Sequence, residues 1–176
     1  LDGDDELLGL AGNDILEGGR GDDVLDGGGG SDVYIFNVGD GRDVINNKEI
    51  MYSTGKDVLR FGAGIDPADL IVSLVRQTST NAHDLVITFR NSPGDRVTIT
   101  GFVTSGSLQA NSYSVDCFEF ADGTVWWGKD ILPPTGLSDG DDVFYGGNSA
   151  DHLLGFGGND LMYGGRGDDY PEGGNG

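Results

Sequence analysis

The sequence is short of nearly everything that catalysis or nucleic-acid binding uses. It has one cysteine, Cys117, so no internal disulfide can form. Beside Phe118 in an apparent strand, that thiol fits a buried, inert side chain better than a nucleophile lacking a positioned base. There are two histidines, His152 at an outward repeat position and His83 in the polar loop before a strand, and both read as solvated surface residues. Lysine and arginine number 10 against 30 acidic residues, a net charge of −20, which excludes nucleic acid and anionic membrane surfaces as favoured direct partners. No apolar run approaches the ~20 residues of a membrane span. Gly-x-Ser-x-Gly, His-Glu-x-x-His and a phosphate loop with its lysine are all missing. Asp139-Gly140-Asp141-Asp142 opens like an EF-hand loop, but Phe144 and Ala150 stand where that loop needs glycine and glutamate. No catalytic residue is assigned.

What the chain has in quantity is glycine, 33 residues of it. Glycine-rich acidic sequence ordinarily signals a flexible linker. Here the glycines are periodic. Gly18-Gly19-Arg20-Gly21-Asp22-Asp23-Val24-Leu25-Asp26 reads Gly-Gly-x-Gly-x-Asp-x-U-x, with U a large apolar residue. Glycine at positions one, two and four is expected to supply positive φ and close backbone approach. Aspartate at position six closes the turn and offers a hard anionic oxygen, the ligand type that calcium selects. Only position eight is regularly apolar, so one copy buries nothing alone and copies must stack. Position six is Asp5, Asp14, Asp23 and Asp32 in a first array and Asp142, Asp151, Asp160 and Asp169 in a second. Position four is glycine in each of these copies except at Ser149, and position eight departs from a large apolar residue only at Pro171, which is expected to shorten the last strand pairing.

This pattern resembles the RTX (repeats-in-toxin) haemolysin-type calcium-binding region. The resemblance implies a flattened parallel β-roll in which alternate turns share an edge and an ion lies between turns two copies apart. It implies as ligands the carbonyls at positions two and four plus the aspartate of one turn, with the carbonyls at one and three plus the aspartate of the later turn. One ion would then sit among Leu1, Gly3, Asp5 and Gly18, Arg20, Asp23, and another among Leu10, Gly12, Asp14 and Gly27, Gly29, Asp32. Each set offers six oxygens, within the usual calcium range of about 6–8. In the second array the sets are Ser138, Gly140, Asp142 with Gly155, Gly157, Asp160, and Gly147, Ser149, Asp151 with Gly164, Arg166, Asp169.

The Gly-x-Asp-x-U core persists at stretched spacing in Gly41-Arg42-Asp43-Val44-Ile45 and Gly55-Lys56-Asp57-Val58-Leu59. In the same scheme Gly19, Gly21 and Asp23 face Asp43, and Gly28, Gly30 and Asp32 face Asp57, so that Asp23 and Asp32 each serve two ions. Asp23→Ala should then cost more calcium affinity than Asp5→Ala. The alternative for Asp43 and Asp57 is a turn-capping carboxylate. The whole chain is expected to hold about four to six ions.

Residues 62–132 are poorer in glycine and richer in β-branched residues. Strands are expected at 71–75, 85–89, 97–100, 115–120 and 124–127, with turns at Ser92-Pro93-Gly94-Asp95 and Ala121-Asp122-Gly123-Thr124. This antiparallel meander resembles the haemolysin-type calcium-binding-related segment through Asp84–Ile87, Asp95–Phe102 and Phe118–Thr124. Trp126 and Trp127 read either as covered aromatics or, if exposed, as a carbohydrate platform. The fold class is therefore all-β: a parallel β-roll block over 1–61, an antiparallel linker segment over 62–132, a stiff Pro-Pro-Thr-Gly joint, and a second roll block over 137–176.

The chain opens and stops inside a repeat, which reads as a piece of a longer protein, and absent targeting signals carry no weight. The function expected is a calcium-dependent folding module of a secreted, extracellular bacterial protein, the type I secretion machinery being implied by the resemblance alone. Two other readings stay open. The middle segment could recognise a glycan or receptor on a host surface on the parent's behalf, and the parent could be an enzyme.

Overall fold

The computed structural model describes residues 2–46, 55–77, 82–104, 115–131, 143–145, 152–154, 159, 161–163 and 170–172. Each of the first three repeats forms a strand from its last three residues: β1 (Glu6–Leu8), β2 (Ile15–Glu17) and β3 (Val24–Asp26). The strands β4 (Val33–Phe36), β5 (Arg42–Ile45) and β6 (Val58–Phe61) are one residue longer. The glycine-rich part of each repeat cannot join a strand, because positions two and four hold positive φ, as at Gly19 (94°) and Gly21 (146°). Every strand instead pairs in parallel with the strand two copies away. Leu7 lies beside Leu25 and Leu25 beside Ile45 on one side; Leu16 lies beside Tyr34 and Tyr34 beside Leu59 on the other. Odd and even strands thus build two sheets, which is the winding of a parallel β-roll. Position eight points between them: Leu16, Leu25 and Tyr34 are buried, with Leu7 packed at the open end.

After β6 a 3₁₀ turn at Pro67–Asp69 leads into β7 (Leu70–Arg76), β8 (Ala82–Phe89) and β9 (Ser92–Thr104), an antiparallel meander. The turn expected at Ser92–Asp95 lies instead at Arg90 and Asn91. Ser92 already pairs with Phe89, with a register shift at Thr88/Phe89, and Asp95 is drawn into β9 by bonds to the roll. β10 (Cys117–Glu119) and β11 (Val125–Trp127) form a hairpin, closed where Gly123 takes φ 90° and donates its N–H to the Phe120 carbonyl at 3.0 Å. A single helical turn, α1 (Gly128–Ile131), follows.

Both roll sheets run on through residue 61. β9 pairs in parallel with β5, placing Val97 beside Asp43, and β10 pairs in parallel with β6, placing Cys117 beside Val58. The sheet orders are β1-β3-β5-β9-β8-β7 and β2-β4-β6-β10-β11. The core is shared in the same way. Phe36 of the roll stacks on Phe89 with ring centroids 5.4 Å apart, and Phe61 meets Phe120 at 5.0 Å.

In the second array, β12 (Val143–Tyr145) pairs in parallel with β14 (Leu161–Tyr163), and β13 (His152–Leu154) with β15 (Tyr170–Glu172). The two-copy spacing is again that of the roll. Pro171 does not shorten its pairing: β15 matches β13 over three residues, with Pro171 beside Leu153. Among the described residues β15 pairs on one side, with β13, and such an edge strand tolerates a proline.

Candidate metal centre

The position-six aspartates form two ladders. On one edge the Asp5 N–H donates to Asp23 Oδ1 at 2.8 Å, and the Asp23 N–H to Asp43 Oδ1 at 3.2 Å. On the other, Asp14 N–H donates to Asp32 Oδ1 at 2.9 Å and Asp32 N–H to Asp57 Oδ1 at 2.8 Å. One oxygen of each acceptor is thereby fixed by the backbone of the earlier turn. The other is not. The Oδ2 atoms of Asp5, Asp14, Asp23, Asp32 and Asp43 are buried and accept no hydrogen bond. Asp23 and Asp32 are wholly buried, and Asp43 and Asp57 nearly so.

A desolvated carboxylate oxygen without a partner is expensive. Asp43 registers that cost: burial foremost, with repulsion from Asp23, pushes its carboxyl up to about 7. Asp40, also buried, is raised by that burial foremost, although its Oδ2 accepts from the Asn37 N–H and Nδ2. Five such oxygens, one per turn, in a chain of charge −20 fit a hard divalent cation.

The glycines divide the labour differently from the sequence expectation. Positions two and four carry positive φ, but Gly9, Gly18 and Gly27 at position one do not. Their requirement is space, because a methyl group at Gly18 or Gly27 would overlap the carboxylate of Asp23 or Asp32 in the same turn. At position four the neighbour is backbone: a methyl at Gly30 would overlap the Gly12 carbonyl, and one at Gly21 the Gly3 carbonyl. Leu10, at position two, takes φ 75° without being glycine. The turn carbonyls accept single backbone bonds, Leu10 O from Gly29 N at 2.9 Å and Gly29 O from Gly12 N at 2.8 Å. Each keeps a second lone pair for another partner.

Three features escaped the sequence reading. Position five forms a second ladder in the opposite direction: Asp4 accepts from Asp22 N–H, Asn13 from Ser31 N–H and Asp22 from Arg42 N–H, at 2.9–3.1 Å. Asp95, buried, accepts from Gly39 N–H at 2.6 Å and from Ser92 Oγ at 2.6 Å. Asp116 accepts the Asp57 N–H at 2.8 Å. Its signal is a bare Asp-x-U, Asp116-Cys117-Phe118, without the glycines that mark every other rung.

Leu1 and the whole second set of ligands (Ser138, Gly140, Asp142, Gly147, Ser149, Asp151, Gly155, Gly157, Asp160, Gly164, Arg166 and Asp169) lie outside the described residues. Trp126 is partly buried edge-on to Phe120, with centroids 5.0 Å apart. Trp127 is 48% exposed and Lys56 Nζ stands 4.4 Å over its ring.

Residues 1–34 and 138–171 match the family model of the RTX calcium-binding nonapeptide repeat (4 copies). Residues 84–130 match the haemolysin-type calcium binding protein related domain. No curated protein matches the chain. Among solved structures the chain is similar to the extracellular lipase LipA from Serratia marcescens, at 18% identity and a TM-score of 0.39, over 93% of this chain and 26% of that one. The chain therefore spans about a quarter of that lipase's length.

Proposed function

From the premise that this chain consists of RTX calcium-binding repeats around a haemolysin-type calcium-binding-related domain, we propose that it is a calcium-dependent folding module of a larger secreted bacterial protein. The observation that carries this reading is the row of buried, unpartnered Oδ2 atoms. Without a cation the row costs desolvation and mutual repulsion. With one, each oxygen gains its missing partner.

In this reading residues 1–61 and 137–176 are the ion-holding blocks and 62–132 the segment between them. On the first block, ions lie between the turns of Asp5 and Asp23, Asp23 and Asp43, Asp14 and Asp32, and Asp32 and Asp57. The second block adds the Asp142/Asp160 and Asp151/Asp169 pairs, for a total of about four to six. Calcium binding only the folded state stabilises it by about 2.7 kcal/mol per site at a hundredfold excess over Kd. Nearest-neighbour stacking makes the sites act together. The parent would cross its exporter, of type I, unfolded and wind up outside, where calcium is abundant. Whether that parent is an enzyme depends on chain beyond this one.

Far-UV circular dichroism with calcium added and then chelated tests the proposal. At pH 8 a β-rich spectrum is expected only with calcium, and magnesium should not replace it, because octahedral geometry at about 2.0–2.1 Å needs a tighter cage. A spectrum already β-rich in chelator would overturn the coupling of folding to calcium. The recognition reading has less support. Trp126 packs inward, and Lys56 covers one face of Trp127.

A further inference from the structure

We infer that Asp116, which lies in the middle segment outside every repeat, is the last rung of the Asp14–Asp32–Asp57 ladder and positions Asp57 as a metal ligand. The inference rests on the calcium reading above. Three successive backbone N–H groups on this edge donate to the carboxylate of the next turn: Asp14 to Asp32 at 2.9 Å, Asp32 to Asp57 at 2.8 Å and Asp57 to Asp116 at 2.8 Å. The strand register runs in step, with Ile15 beside Val33, Val33 beside Val58 and Val58 beside Cys117. Asp116 thus holds position six of a turn that has no repeat sequence. It is also tied on both sides, its N–H donating to the Asp57 carbonyl at 2.9 Å and its carbonyl accepting from Gly128 N–H at 2.8 Å.

The other edge ends differently. Beside Asp43 stands Val97, which has no side-chain oxygen to offer, and Asp95 from the same strand bonds Gly39 and Gly41 instead. The middle segment therefore extends one ladder by a carboxylate and stops the other with an apolar residue. Asp57, nearly buried, owes its orientation to being held from both sides, Asp32 N–H on its carboxylate and Asp116 on its own N–H. Asp116 acts through Asp57, and it docks the middle segment against the ion-holding turns.

Calcium isotherms on the full chain test this, for the wild type, Asp116→Ala, Asp116→Asn, Asp57→Ala and the double variant Asp57→Ala/Asp116→Ala. Losing one buried acceptor should weaken calcium uptake about five- to tenfold in Asp116→Ala. Asn keeps an acceptor for the Asp57 N–H, so Asp116→Asn should stay within about twofold of wild type. Because Asp116 works through Asp57, the double variant should bind no more than about twofold worse than Asp57→Ala. Wild-type affinity in Asp116→Ala overturns the inference, as does a full additional loss in the double variant. Should the alanine variant not fold, the Asn variant decides: near-native uptake supports the acceptor role and a tenfold loss overturns it. A wild-type chain that takes up no calcium overturns the underlying calcium reading, whereas tight wild-type binding with an indifferent Asp116 overturns this inference alone.

Discussion

Leu10 is the one described non-glycine residue with positive φ, and its side chain is 68% exposed. It carries left-handed strain, of order 1–2 kcal/mol, for almost no packing. Leu10→Gly should therefore raise stability by about 0.5–1 kcal/mol after glycine's extra unfolded-state entropy, read as a higher Tm in saturating calcium. Glycine positions that look alike in sequence separate the same way. Gly18→Ala drives a methyl into the Asp23 carboxylate and should weaken calcium uptake severely. Gly29→Ala meets nothing within 4 Å at an ordinary φ, so thermal melts should place it within about 0.5 kcal/mol of wild type. The expected inequality between Asp23→Ala and Asp5→Ala also has a structural basis, since Asp23 is fully buried and bonded on both sides while Asp5 is part-buried at the end of its ladder. Asp43 sets a pH dependence. Its carboxyl titrates at about 7 in the metal-free fold, well above an unfolded aspartate near 4. A raised pKa means the metal-free fold binds the extra proton. Its contribution is fully present below about pH 4 and is lost as pH rises through 7. Acidifying the calcium-free chain from pH 8 to pH 5 should increase β content by circular dichroism, whereas the calcium-bound form should lose affinity over the same range, because protons compete for the ligand.

At the level of elements, the repeats were legible because two positions, the aspartate and the apolar residue, recur in fixed register and each has a single physical job. That copies must stack follows from this; the parallel pairing two copies apart is what the RTX resemblance implies, and the structure has both that pairing and the inward ladder of Leu16, Leu25 and Tyr34. What was not legible was where the middle strands dock. Nothing local in Ser92–Thr104 or Cys117–Glu119 says that one should lie beside β5 and the other beside β6. The pairings join residues 50–60 positions apart and are selected by shared core, Phe36 on Phe89 and Phe61 on Phe120. Asp95 was hidden for the same reason, its residues resembling a hairpin turn until the roll's Gly39 and Gly41 draw it in. Phe89→Ala should thus destabilise the roll as well as the meander, by about 3–5 kcal/mol. Loss of amide protection at Val24 and Val44 in hydrogen exchange would report that spread, and loss confined to β7 and β8 would contradict a shared core.

Across the molecule, charge and connectivity oppose each other. A net charge of −20 favours an expanded chain when no cation is bound, while two sheets that cross residue 61 favour one cooperative unit. The anchoring is lopsided. Among the described residues β3, β4, β5 and β6 are held by neighbours on both sides, whereas β1 and β2 each have one neighbour, two copies along. Under tension this gives the ribbon a weak end and a strong end. Pulled at residues 2 and 61, the roll would peel from β1 inward, each nine-residue repeat releasing about 30 Å of slack. Within this stretch the strands pinned by β9 and β10 would be the last to yield, so the nine-residue repeats would lengthen it in even steps first.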